Sequence, residues 1–244
     1  MPPLDLIQLR ARLTALAPPS RHGVLTLDGG AVDVALGGGL ALGALHAMEG
    51  AGIEVETAAA PAAFLAGVLA RMPAGKPVFW ISATPDLYAP GLIGCGFDPA
   101  RLIQLRCLDA TEALAAMERL LRSAAALAVV AEIGPVGRLA GRRLQMACLG
   151  SGTSGFLLRR WPHGRRAAEE ITAAVTRWRI GPAPSLRNGR APGRPRLRVA
   201  LLHTRLGAAG EWILEQEDRD DTPHPFRVVA GLADPQAAPR RLAG

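Results

Sequence analysis

With 244 residues, 49% of them hydrophobic, and a mean hydropathy of +0.18, the chain has enough apolar material to bury a core, which excludes the disordered class. No apolar run reaches the ~20 residues that span a bilayer, and the N-terminus MPPLDLIQLRARL has neither the apolar block nor the cleavage site of a leader, so a cytoplasmic protein is expected. Basic residues outnumber acidic ones 28 to 21, and the whole +7 falls in residues 151–244.

Leu6, Leu9, Leu13 and Leu16 lie at helical spacing behind Asp5 and predict an amphipathic helix over residues 4–16, ended by Pro18-Pro19. LGGGLALGALHAMEG (36–50) reads as a glycine-broken loop entering a strand at about 43–49. A helix over 57–72 follows, with Phe64, Leu65, Val68, Leu69 and Met72 on one face. PVFWIS (77–82) has the unbroken apolar run of a strand covered on both sides. A helix near 86–94, begun by Asp86, leads to the strand RLIQLR (101–106). Asp109 and Glu112 suit the N-cap and N3 positions of a helix at 110–123. LAVVAEI (127–133) is a further buried strand. A helix at 137–149 is expected to turn Leu139, Ala140, Leu144, Ala147 and Cys148 inward, and GFLLRR (155–160) closes the series.

This alternation implies an α/β fold with a mostly parallel sheet flanked by helices. The pattern changes after about residue 165. AAVTRWRIGPAPS, RPRLRVALLHTRL, GEWILEQED and PFRVVAGLA are strand-like stretches, and a helix is expected only at 165–173. The expected organisation is a short N-terminal helix within 1–22, an α/β core at 23–165, and a β-rich basic extension at 166–244 with a frayed end.

A phosphate-binding loop carries Gly-Lys-Ser or Gly-Lys-Thr at the head of its helix, whereas this chain carries Val55-Glu56-Thr57. Gly50 and Gly52 still allow a tight turn, and the helix from Thr57 still offers its dipole. The lysine that reaches the β/γ phosphates has no replacement, because Lys76 lies beyond the helix and before Pro77. Glu56 repels phosphate. Glu132 ends LAVVAEI, where such folds place a magnesium-linked acid and where an open α/β sheet has its crevice. The expectation is a retained loop with no cofactor. No Ser-His-Asp, Cys-His or HExxH arrangement is present, the five histidines lack ligand spacing, and Cys95, Cys107 and Cys148 read as buried thiols of a reducing compartment. Neither a catalytic residue nor a metal site is expected.

Between Arg159 and Arg205 stand twelve arginines against Glu169 and Glu170, so a polyanion or acidic partner meets that region first. Trp161, His163 and Trp178 interleave with Arg159, Arg160, Arg165, Arg166, Arg177 and Arg179, a mixture able to grip phosphates and stack on unpaired bases. In TRWRIG, Trp178 alternates with Arg177 and Arg179, which gives one aromatic and one basic face. The plainer alternatives are that the aromatic face packs on the core and that the arginines only solubilise a surface. Trp212 completes the expected partner or DNA contacts.

The succession GGGLALGALHAMEG, FLAGVLAR, DLYAPGL, FDPARLIQLR, RRLQMACLGSGTSGFLLR, TRWRIGPAPS and GEWILE resembles the inducible-mutagenesis protein A family, ImuA, over residues 35 to about 232. The resemblance implies kinship with the RecA core, and the family has also been likened to the SulA cell-division inhibitor. It places Gly50–Thr57 at the former Walker A loop and Glu132 at the former Walker B position, with no counterpart in WISATPD of the glutamate that activates water. It implies a non-catalytic accessory of damage-induced, error-prone translesion synthesis. The implied partners are ImuB (a polymerase-like protein without activity), a second alpha-type polymerase subunit and RecA. The protein would be nucleoid-associated when bound to DNA. A residual ATPase and a single-stranded DNA-binding protein are the alternatives.

Overall fold

A computed structural model describes residues 21–84, 86–160, 173–185, 193–217 and 221–232. The helix expected at 4–16, the one at 165–173, Trp161 and the C-terminal tail lie outside the described residues.

The elements in chain order are β1 (Val24–Leu25), α1 (Ala31–Leu36), β2 (Leu40–Ala41), β3 (Leu45–Gly50), α2 (Glu54–Thr57), α3 (Ala59–Arg71), β4 (Val78–Ser82), β5 (Leu102–Arg106), α4 (Ala110–Ser123), β6 (Ala128–Ile133), α5 (Arg138–Ser151), β7 (Ser154–Arg159), β8 (Thr176–Ala183), β9 (Arg196–Thr204), β10 (Gly210–Gln216) and β11 (Phe226–Leu232). Nine strands form one sheet in the order β11-β10-β9-β8-β3-β7-β6-β4-β5. From β8 to β5 every neighbouring pair is parallel, and β8 through β11 are antiparallel to one another. The fold is therefore the expected RecA-like α/β architecture with antiparallel C-terminal strands. These strands continue the same sheet, because β8 lies directly beside β3.

Side-chain alternation sorts the two faces. Met48, Trp80, Val130, Phe156 and Trp178 meet α1 and α3 in one apolar layer. Leu45, Ile81, Val129, Ala131 and Leu157 meet α4 and α5 in the other. Strands covered on both sides, such as β6, are apolar apart from Glu132 near the carboxyl end, whereas β9 alternates buried and open positions.

Three local expectations meet corrections. Residues 86–94 do not form an α-helix; a 3-10 turn over Ala89–Cys95 stands there, ended by left-handed Gly96. Pro90, Gly91 and Gly94 give an α-helix too little support. Leu139 is 75% exposed rather than inward. Five residues separate it from Leu144, so it lies about 140° round the helix, and Gly141 and Gln145 take inward places instead. The stretch before β3 is more than a loop, since β1 pairs antiparallel with β2. Ahead of α1, Asp33 accepts hydrogen bonds from the backbone N–H groups of Leu27, Asp28 and Gly29, while Asp28 accepts from Gly30, Val32 and Asp33. GFLLRR forms β7, the last strand of the alternating series as expected, and it sits between β3 and β6. Asp109 caps α4 as expected, accepting from the Glu112 N–H at 2.8 Å, while the Glu112 carboxylate reaches one residue past the N-cap to accept from the Leu108 N–H at 2.6 Å.

Under the sheet His46 is fully buried. Its Nδ1 lies 2.7 Å from the Thr176 hydroxyl, and its Nε2 lies 2.8 Å from the Ala41 carbonyl. A carbonyl can only accept, so Nε2 carries the proton and Nδ1 accepts from Thr176, whose oxygen in turn accepts from Trp178 Nε1 at 2.7 Å. Burial lowers the His46 pKa to about 4. Below the unfolded value of 6.5 the unfolded chain takes up a proton that the folded chain refuses, so stability falls with pH from 6.5 towards 4. Between pH 7 and pH 5 urea unfolding should show a loss of about 2 kcal/mol that depends on His46. A His46→Gln variant should lose much less over that interval; an equal loss would assign the effect to other groups.

Candidate functional site

The crevice lies where β3, β6 and β7 end at their carboxyl edge, the usual ligand position of an open α/β sheet. β3 delivers Gly50, and the chain turns through Gly52 into α2 and α3. A Cβ on Gly50 would stand 2.4 Å from the Thr57 hydroxyl, so glycine there is required by the packing of Thr57 alone. Thr57 is buried and donates its hydroxyl to the Ile53 carbonyl at 3.0 Å, which turns it back into its own helical turn. Glu56 is exposed.

Glu132 comes up at the end of β6 with both carboxylate oxygens engaged. Trp80 Nε1 donates to one at 2.6 Å, and Arg160 donates to the other at 2.6 Å. Burial pushes the Glu132 carboxyl up against the pull of these two donors. The other end of the Arg160 guanidinium reaches Asp86 at 2.7 Å and holds the Asp86 carboxyl below its ordinary range. Asp86, expected as a helix start, thus serves as the second anchor of Arg160. Beside them Glu49 sits between Arg179, at 2.8 Å, and Arg159, at 3.8 Å.

The space left among Gly50, Gly52, Thr57, Pro61, Glu132 and Arg160 is about 30 Å³. That suits one water molecule, whereas small-ligand sites take roughly 300–1,000 Å³. The residues present do not fit a nucleoside triphosphate: the lysine is absent, the threonine hydroxyl is directed at a carbonyl, and an arginine lies across the acid. A more open hollow of about 340 Å³ adjoins it, with Ala58, Ala62, Leu87, Tyr88 and Leu92 around it and Glu132, Arg160 and Asp86 at its polar end. Among the described residues no group of three His, Cys, Asp or Glu side chains could hold a metal ion, and no helix is long and apolar enough to cross a membrane.

The residues expected as partner or DNA contacts separate. Trp178 is fully buried, and Trp212 is 7% exposed in the same apolar layer, so both rings belong to the core. Arg159 is buried against Glu49, and Arg179 bonds the same carboxylate. Further along, Arg194 meets Glu217 and Asp221, Arg196 meets Glu215, and Arg198 meets Glu211. Much of the basic segment is thus taken up in cross-strand ion pairs. Arg177 and Arg205 stand close to His203, whose pKa is lowered by burial and by those two charges. Sequence reasoning missed Trp80 and Glu49 as parts of the crevice. A charged residue ending the apolar run LHAME was the available signal for Glu49.

No family model matches the chain. It is 44% identical over 214 residues to Protein ImuA of Caulobacter vibrioides strain NA1000 / CB15N, covering 83% of this chain and 86% of the relative, and the match to Protein ImuA of strain ATCC 19089 / CB 15 has the same extent. The chain belongs to the ImuA family. Identity at this level over most of both chains carries the shared fold with it over the aligned span.

Proposed function

We propose that this protein is a non-catalytic accessory of damage-induced, error-prone translesion DNA synthesis. It would join an ImuB-like protein and an alpha-type polymerase subunit, with RecA as a further contact. Family membership supports the pathway, and the crevice supports the absence of catalysis. The observation that carries the second point is Arg160, anchored at once by Glu132 and Asp86 where a RecA-type ATPase needs its acid open to metal and phosphates. A RecA-like sheet with such a crevice is suited to binding other proteins rather than to turning over nucleotide.

Pure protein should neither retain labelled ATP on a filter nor release phosphate. Arg160→Ala should free Glu132 without creating turnover, because the lysine is still missing. Hydrolysis by the wild-type protein, lost in Glu132→Gln, would overturn the reading. Co-purification of the ImuB-like protein and the polymerase subunit with the intact chain tests the adaptor role directly, and failure to retain either would remove it.

A single-stranded DNA contact is the second reading. It is favoured by the grouping of Arg177, His203 and Arg205. Binding would be weak and would fall steeply with salt, and the Arg177→Ala/Arg205→Ala pair should flatten that slope. No binding at low salt would leave the cluster without a DNA role.

A further inference from the structure

Helix α5 buries one face through Gly141, Leu144, Gln145 and Cys148. Its opposite face also carries an apolar stripe. Leu139 is 75% exposed, Met146 61% and Leu149 37%. Seven residues separate Leu139 from Met146, two helical turns, so these side chains lie in one row. Arginines flank the row: Arg138, Arg142 and Arg143 are exposed on the same helix, which has no acidic residue from Arg138 to Ser151. On α4, Glu118 bonds both Arg122 and Arg143, which leaves the arginines in excess on this face among the described residues. Next to Met146, a surface hollow of about 370 Å³ opens between Arg122, Ala147, Gly150 and Ser151.

The helix gains nothing in stability from this arrangement. Its N-terminus has no side-chain cap, and Arg138 in its first turn opposes the helix dipole. Departures from local preference of this kind are characteristic of functional surfaces.

We propose that the outer face of α5, together with the C-terminal end of α4, docks an acidic amphipathic helix of a partner protein. Apolar side chains of that helix would cover Leu139 and Met146 and enter the hollow, while its carboxylates would meet Arg122, Arg138 and Arg142. The charge selects an acidic occupant. The aliphatic stripe selects protein over nucleic acid, since phosphates leave it uncovered and α5 offers no aromatic ring for bases to stack on. A second copy meeting the same face across a two-fold axis would set arginine against arginine. The surface lies on the helical layer opposite α3 and is independent of the crevice.

The test uses the full chain and a fluorescein-labelled synthetic helix with leucines on one face and glutamates beside them. Saturable anisotropy is expected. Leu139→Ser/Met146→Ser should weaken binding by about tenfold or more with an unchanged urea midpoint, since both side chains are exposed. Arg138→Glu/Arg142→Glu should abolish it and admit a lysine version of the same peptide. The proposal is overturned if the wild type does not bind the acidic peptide, if the serine pair binds it equally well, or if a single-stranded oligonucleotide competes for the face. Sedimentation that shows a dimer lost in the serine pair would also overturn it, by assigning the face to a second copy.

Discussion

Trp178→Ala should lower the stability of the folded chain by about 3–5 kcal/mol, enough to unfold a marginal domain at moderate urea. The indole is fully buried, with its ring centroid 5.5 Å from Phe64, which stacks on Phe226 at 4.8 Å. Its removal leaves a cavity at one end of a row, centred on Phe64, that ties α3 to β8 and β11. Trp178→Phe keeps most of the volume but loses the hydrogen bond to Thr176, so a loss nearer 1–2 kcal/mol is expected. Chemical denaturation checks both, and a change under about 1 kcal/mol in the alanine variant would remove the indole from the core. The same placement decides how docking on the C-terminal strands must be probed. Cutting the chain after residue 165 would strip β8 to β11 from β3 and expose this core, so lost binding by a truncated chain would report unfolding, whereas substitutions of exposed side chains would not.

Glu49→Gln carries the second large effect. Glu49 is buried between Arg159 and Arg179, whose side chains are 6% and 36% exposed. Removing the Glu49 charge takes this carboxylate away from the desolvated Arg159 and from Arg179 together, which should cost about 3–5 kcal/mol, as when one member of a buried pair is removed. Arg179→Met should cost less, because Glu49 retains Arg159 and the lost guanidinium is partly solvated already. Denaturation midpoints for the two variants give the comparison. Equal losses would mean that the outer arginine, not the buried one, governs the pairing.

Much of the fold was legible because burial on two sides leaves its mark on composition. VFWIS and LAVVAE could only be strands covered from above and below, and the alternation in TRWRIG placed its tryptophan and arginines on opposite faces before any contact was known. The crevice was legible only in its losses. Val55-Glu56-Thr57 announced the missing lysine, but nothing local announced that Arg160 would cross to Glu132 and Asp86, contacts spanning 28 and 74 residues. The charge of the C-terminal segment misled for the same reason. A run of arginines looks unpaired in sequence when its glutamates stand on the neighbouring strand. Residues 86–94 failed because the glycine and proline interruptions at Pro90, Gly91 and Gly94 outweighed a capping aspartate.

That pairing has a consequence for how the antiparallel wing finds its alignment. Glu215 stands directly opposite Arg196 on one side and Arg227 on the other, so a single carboxylate threads a row across β9, β10 and β11. Two register shifts interrupt the same wing, between Arg177 and Trp178 and between Ile213 and Leu214. Backbone hydrogen bonds tolerate a slip of one residue; the charged row does not, because sliding β10 by one place turns Glu215 to the other face and leaves an uncharged neighbour, Leu214 or Gln216, between the two arginines. The row acts as an alignment key, and the key is cut for guanidinium. Arg227 reaches Glu215 and Glu217 at once, and Arg194 reaches Glu217 and Asp221. A lysine ammonium, a point charge without the planar fork, would hold one such partner well and release the other. In this wing the exchange of arginine for lysine keeps the charge and loses the register.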